Sequence, residues 1–393
     1  MKFSIHRDPL LGALQKVQSV VEKRNTVQIL ANILCEVKDQ TLSLSATDLE
    51  VGIKITLPVE MHEEGKITLP AKNFLDIVKE LPDKRLDITR KDNNWVELVC
   101  GKSRFNVVSL SADEYPALPN FEDKTYHEAR VEALRGMIDR TSFAVSTDAT
   151  RYHLNGVYFE HVENNIMRMT ATDGHRLSFE DQEVFMKLPE LKRGIIIPKK
   201  GLSELRKLLD EGNSTVRLAF ERGYIFAQLA NDAPMGKTAG KAEGKNEKEA
   251  GHAAGGFSLF IRLIEGEYPD YRQVIPKVAD RLVKINRNAF SAALKRVSLL
   301  AHEKSRGVKM ALQNGILTVS SSNPDMGEAR EELDVEYSGD TIDIGFNAKY
   351  LLDCLAVMDS ESLEFRFKDR LSPGIIRSAD KQNHTYVIMP MRI

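Results

Sequence analysis

Asp173 and His175 stand two residues apart in the hexapeptide Thr172-Asp173-Gly174-His175-Arg176-Leu177, a carboxylate and an imidazole close together along the chain. In a hydrolytic site His175 would act as general base and Asp173 would orient its ring. That chemistry needs a nucleophile, and no nucleophile motif accompanies the pair. The chain also lacks a Walker phosphate loop, a dinucleotide fingerprint, metal-ligand spacing and an acidic cluster suited to two metal ions. Cys35, Cys100 and Cys354 lie far apart, without the paired spacing of a disulfide framework or a zinc site, and read as buried thiols. The sequence predicts a non-catalytic protein without metal or cofactor, in which Asp173 is a turn residue closing a strand.

Other residues are placed for contact rather than for reaction. Lys72, Lys200 and Lys349 each follow a Pro or Asn by two positions, at the predicted start of a helix. A lysine there opposes the helix macrodipole, so three such placements need a reason other than helix stability. Further basic residues, Lys16, Lys23 and Arg24, Arg135 and Arg140, and Lys295, Arg296, Lys304 and Arg306, fall on or just after three other helical patterns. The chain closes on Tyr386-Val387-Ile388-Met389-Pro390-Met391-Arg392-Ile393, apolar where polar, fraying residues are usual. A core strand accounts for Val387 and Ile388. Pro390 cannot continue a central ladder, so Met389 and Met391 are expected at an edge, where flexible thioethers suit varied partners.

The elements that position these residues are written three times. An alternating strand ends in small polar residues at Thr41–Asp48, at Ile166–Asp173 and at Ile316–Asn323. A strand runs into a helix at Ile67–Lys72, Ile195–Lys200 and Ile344–Lys349. Upstream of each pair lies an amphipathic helical pattern, with Leu10, Leu14 and Val17, then Leu134, Ile138 and Val145, then Phe290, Leu294 and Val297. Glu114-Tyr115-Pro116 recurs as Glu267-Tyr268-Pro269 before Pro-containing connectors. Asp48 and Asp173 are about 125 residues apart, whereas Asp173 and Asn323 are about 150 apart. The excess matches a stretch near 235–256 that has no large apolar residue and reads as a mobile insertion between strands. The expectation is an α+β protein of three similar domains, 1–125, 126–280 and 281–393, each with antiparallel sheets and two helices.

Composition narrows the partner class. A 42% hydrophobic and 28% charged chain is globular in type, and no run approaches a membrane span. The start, MKFSIHRDPL, is not that of a signal peptide, which points to the cytoplasm. A formal net charge of -2 argues against coating DNA by bulk attraction, so a DNA-binding role requires positive charge concentrated on one surface.

The three-fold repeat, Thr172–Leu177, Pro269-Asp270-Tyr271-Arg272 and the terminus Tyr386–Ile393 together resemble the bacterial DNA polymerase III β subunit, the sliding clamp family, over the whole chain apart from the insertion. The resemblance implies two subunits joined head to tail into a ring of six domains, helices lining the hole and sheets outside. It implies a processivity factor that encircles double-stranded DNA and tethers the polymerase III α subunit, the clamp loader and other proteins bearing a clamp-binding motif. Geometry agrees with a pair. A compact domain of this size is roughly 35 Å across, so six in a ring leave a hole about 35 Å wide and three leave about 5 Å.

By the same resemblance, Arg24, Lys72, Tyr152 and Lys200 lie near the DNA path, and His153 stands where a second aromatic is often found. Phosphate contact supplies the missing reason for the helix-start lysines, Lys199 and Lys349 included. A peptide-binding groove is implied at Leu154, Thr172, Gly174, His175, Arg176, Leu177, Pro269, Val274, Leu371, Val387, Met389, Pro390, Met391 and Arg392. Gln273 stands where some relatives carry Arg, and Pro373 lies in the neighbouring loop. The dimer interface is implied at Phe105 and Val107 on one side, Leu299 and Leu300 on the other. The competing reading is a three-domain peptide-binding scaffold that does not encircle DNA; a hydrolase built on Asp173 and His175 is a distant third.

Overall fold

The computed structural model describes residues 1–21, 27–163, 165–183, 191, 193–221, 223–229 and 256–392. The insertion expected near 235–256 lies outside these residues except for Gly256, as does Arg24.

Six α-helices are present among the described residues: α1 (Arg7–Val17), α2 (Ala71–Glu80), α3 (Val131–Thr141), α4 (Lys199–Leu208), α5 (Arg287–Val297) and α6 (Ala348–Ala356). The first helix of each repeat buries one stripe at positions i, i+3, i+4 and i+7. These are Leu10, Ala13, Leu14 and Val17 in α1, Leu134, Met137, Ile138 and Thr141 in α3, and Phe290, Ala293, Leu294 and Val297 in α5. Each large apolar side chain in that stripe contributes about 1.5–3 kcal/mol by leaving water. The helix starts differ in how they are capped. Asn347 accepts from the backbone N–H groups of Lys349 and Tyr350, whereas Pro70 offers α2 no side-chain cap.

The strands pair antiparallel throughout the four sheets. By packing, the chain forms two compact units, Met1–Val131 with Lys200–Leu263, and Glu132–Lys199 with Ile264–Ile393. The second repeat therefore contributes one of its sheet halves to each unit.

In the first unit, an eight-stranded sheet runs in the order His127–Arg130, Thr215–Glu221, Tyr224–Leu229, Phe257–Arg262, Val51–Pro58, Thr41–Thr47, Asn32–Lys38 and Gly65–Pro70. Four strands of the second repeat are thus sewn onto four of the first, through Phe257–Arg262 against Val51–Pro58. A five-stranded sheet in the same unit ends on Ser103–Val108.

The second unit repeats the design. Its eight-stranded sheet joins the second and third repeats through Arg176–Glu183 against His384–Ile388, and its four-stranded sheet ends on Gly327–Asp334. Two junctions between successive repeats are closed within the chain, and two sheets are left with one open edge each of the types that form such junctions.

Small local devices recur with the repeat. Asp48 accepts from the backbone N–H groups of Glu50 and Val51, and Asp173 accepts in the same way from His175 and Arg176. Gly174 takes the left-handed backbone at φ 88 that this turn requires, and Leu49 holds the equivalent position at φ 78. Cys35, Cys100 and Cys354 are buried free thiols, and burial pushes Cys35 up to about 12.

Candidate functional site

The turn that follows the strand Ile166–Thr172 anchors the expected partner groove. Arg176 is buried, an expensive place for a guanidinium unless every donor finds an acceptor. Its Nε donates to Asp173 at 3.0 Å, Nη1 to Asp353 at 2.7 Å and Nη2 to the Phe143 carbonyl at 2.7 Å, with Tyr350 packed against the guanidinium face at 4.5 Å. Burial raises Asp353, but hydrogen bonds from Arg176 and Lys349 outweigh it and hold the carboxyl below the usual range. Arg176 is thereby fixed as a strut beneath the surface.

Leu177 and Val387 face each other across the junction and form an apolar cluster with Phe179 and Tyr271, against which Tyr158, Tyr268 and Ile275 pack. Tyr268, next to Pro269, stacks on Tyr158 at 4.9 Å. The chain terminus is held by its backbone, Met389 N–H donating to the His175 carbonyl at 2.9 Å and Met391 bridging Gly345. The strand stops at Ile388, before Pro390, as the sequence requires. Met389 is nevertheless 39% exposed, and Val274 and Leu371 are exposed as well. The structure thus brings Thr172, Gly174, His175, Arg176, Leu177, Val387 and Met389 together on one junction. Leu154 is buried at the end of a short 3-10 helix, Arg392 is exposed, and Leu371 sits in a turn whose N–H donates to Asp369.

The equivalent face of the first junction is filled by the chain's own rings. Phe260 lies over Gly52, where an added Cβ would come within 2.1 Å of the ring, and Phe121 packs on Phe226 at 5.7 Å and on Phe260 at 6.3 Å. At the second junction the aliphatic pair Leu177 and Val387 stands in place of Gly52 and Phe260.

The basic residues divide into two groups. Lys72 and Lys199 are exposed, and Tyr152 is 57% exposed with its ring edge-on to His153 at 5.6 Å. Lys200 instead pairs with Asp48, and Lys349 pairs with Asp353 at 2.9 Å. The second pair is a visible i,i+4 spacing; the first is long-range and has no local signal.

At the open edges Phe105 is 38% exposed and Val107 buried, while Leu299 is 73% exposed and Leu300 half-buried. An isolated leucine at that exposure is unremarkable, but the Ser298–Leu300 turn also packs beside the edge strand Gly327–Asp334.

Three family models of the DNA polymerase III beta subunit match the chain, the N-terminal domain over residues 1–119, the central domain over 128–270 and the C-terminal domain over 272–392. The chain belongs to the DNA polymerase III beta subunit family. It is 36% identical over 395 residues to a beta sliding clamp of Pseudomonas aeruginosa and 33% identical over 395 residues to that of Escherichia coli (strain K12), with 100% of each chain covered. Its fold matches a crystal structure of the Pseudomonas aeruginosa beta subunit with a TM-score of 0.88 at 36% identity, covering 100% of both chains.

Beta subunits are clamps, not enzymes, and the site agrees with that. The Asp173 carboxylate is committed to the turn and to Arg176, while the His175 ring stacks on Tyr350 at 6.4 Å. No base–orienter dyad forms between them. Among the described residues no group of His, Cys, Asp and Glu is arranged to hold a metal, and no helix is long and apolar enough to cross a membrane.

Proposed function

We propose that two copies of this chain close head to tail into a ring around duplex DNA, and that the ring tethers the replicative polymerase and other replication proteins through the groove at the second junction. The observation that carries this reading is the pair of open edges. The bridges Thr68↔Leu110, Ile196↔Ile264 and Gly345↔Met391 align the three repeats, making Val107, Ile261 and Ile388 equivalent. Ile261 pairs with Val51 and Ile388 with Arg176, each three residues past Asp48 or Asp173. The same rule sets Val107 of one copy opposite Met326 of the other, with Asn106 facing Gly327 and Phe105 facing Glu328. The two sheets with free edges then become one continuous sheet, and no unpaired edge of this type is left.

Side chains follow the same rule. Phe143, just past α3, packs on Tyr386 at 5.9 Å inside the second junction. Leu299 occupies the Phe143 position past α5, and Phe105 occupies that of Tyr386, so these two meet in the ring.

DNA contact is assigned to Lys72, Lys199, Tyr152 and His153, with Arg24, Lys200 and Lys349 adding positive charge, in a cytoplasmic protein. A scaffold without DNA encirclement would share the groove but show no salt-dependent association with DNA. Lys72→Ala with Lys200→Ala is expected to lower affinity for closed circular duplex and to reduce the salt slope by about 2, since each phosphate that a lysine neutralises adds about 0.9 to that slope. Because Lys200 pairs with Asp48, Lys72→Ala alone is the cleaner arm and should remove about half of that amount. An unchanged slope in a folded, dimeric double variant would remove these lysines from the DNA path.

A further inference from the structure

The two junctions inside the chain share an ion pair whose partners occupy repeating positions. Lys16 is the penultimate residue of α1 and binds Glu211, three residues past the end of α4, at 2.6 Å. Arg140 is the penultimate residue of α3 and binds Asp359, three residues past the end of α6, also at 2.6 Å. In both, a basic residue of one repeat reaches an acid of the next.

The third repeat has the base without the acid, and the first has the acid without the base. Arg296 is the penultimate residue of α5, and Asp83 lies three residues past the end of α2. Both are exposed, and Asp83 has no ion-pair partner among the described residues. Arg296 is already oriented, its guanidinium held by Glu331 of the neighbouring sheet at 3.0 Å. Arg140 is held by Nη1 on Glu180 at 3.0 Å while Nη2 reaches Asp359, whereas Arg296 gives both Nε and Nη2 to Glu331 and leaves Nη1 for a further acceptor.

We propose that Arg296 of one copy pairs with Asp83 of the second copy, and that this pair sets the polarity of ring closure. The inference rests on the head-to-tail reading above. It adds a discriminating device, since turning one copy around would bring Arg296 toward Arg296 and Asp83 toward Asp83. Like-charge contacts of that kind select against wrong orientations more than the matched pair adds to affinity.

The head-to-tail arrangement gives an unusual test. Each of R296E and D83R alone places like charges at both junctions of its own dimer. An equimolar mixture can form a ring with one native junction and one charge-reversed junction, both attractive. Sedimentation of the two full-length variants should show each dimer weakened by about tenfold, from two junctions each exchanging an attraction for a repulsion, with the mixture recovering near-native dimer. R296E also removes the Glu331 ion pair, so thermal melting of each variant checks its fold, and D83R carries the test by itself if R296E melts early. Dimers of native strength in D83R, or a mixture no tighter than its components, would overturn the pair while leaving the ring standing. A monomeric unmodified chain at micromolar concentration would sink the ring as well.

Discussion

Replacing Leu299 and Leu300 together with alanine is expected to leave the protein monomeric in solution at concentrations where the unmodified chain is a dimer. Leu299 is among the most exposed large apolar side chains of the described residues, and its counterpart Phe143 is packed on Tyr386 inside the chain. Burying each leucine against the second copy contributes on the order of 1.5–3 kcal/mol, and a ring holds two such junctions. Truncation at both should therefore weaken the dimer by several kcal/mol, about a thousandfold or more in dissociation constant. Because Leu299 contacts mostly solvent in the single chain, the variant should melt close to the unmodified monomer. Sedimentation at low concentration, read beside a thermal melt, decides the matter. A folded double variant that remains a tight dimer would place the interface elsewhere.

The groove gives the second large effect. Met389→Ala with Met391→Ala should reduce affinity for short apolar partner peptides by at least about thirtyfold, since truncating a central side chain in such a site costs about 2 kcal/mol or more. The backbone there is tied to His175 and Gly345 on either side, so the alanines remove thioethers without freeing the strand. Dimerisation and salt-dependent DNA contact are expected to be untouched. Calorimetric titration of the variant with a peptide carrying a clamp-binding motif measures this. Wild-type affinity in the folded variant would reduce the apolar terminus to a core strand with an exposed end.

Much of this architecture is legible in the chain because it is periodic. The strand endings at Asp48, Asp173 and Asn323 and the helix starts at Lys72, Lys200 and Lys349 mark the repeat, and the turn role of Asp173 follows from its counterpart Asp48. What periodicity does not carry is which surfaces a repeat shares with its neighbour. The sewing of Phe257–Arg262 onto Val51–Pro58 joins residues about 200 positions apart, and no local propensity signals such a pairing. The pairing of Lys200 with Asp48 and the filling of the space over Gly52 by Phe260 are products of the same junction. For that reason the lysines look alike in sequence and differ in the fold: Lys72 is exposed, whereas Lys200 and Lys349 have carboxylates to hold. The ion-pair rule at the junctions becomes visible only once the helix ends are fixed, since it counts residues from those ends.

Encirclement is a topological property, and it is measured by comparing retention of the protein, loaded by its clamp loader, on closed circular duplex and on the same duplex cut once. A ring that holds DNA by encirclement needs few strong phosphate contacts, in keeping with a net charge of -2. At moderate salt the protein should stay on the circle and leave through the free ends of the linear form, and cutting the circle after loading should release it. Equal retention on both forms, falling together as salt rises, would contradict encirclement and mean that the protein binds DNA by an ordinary surface.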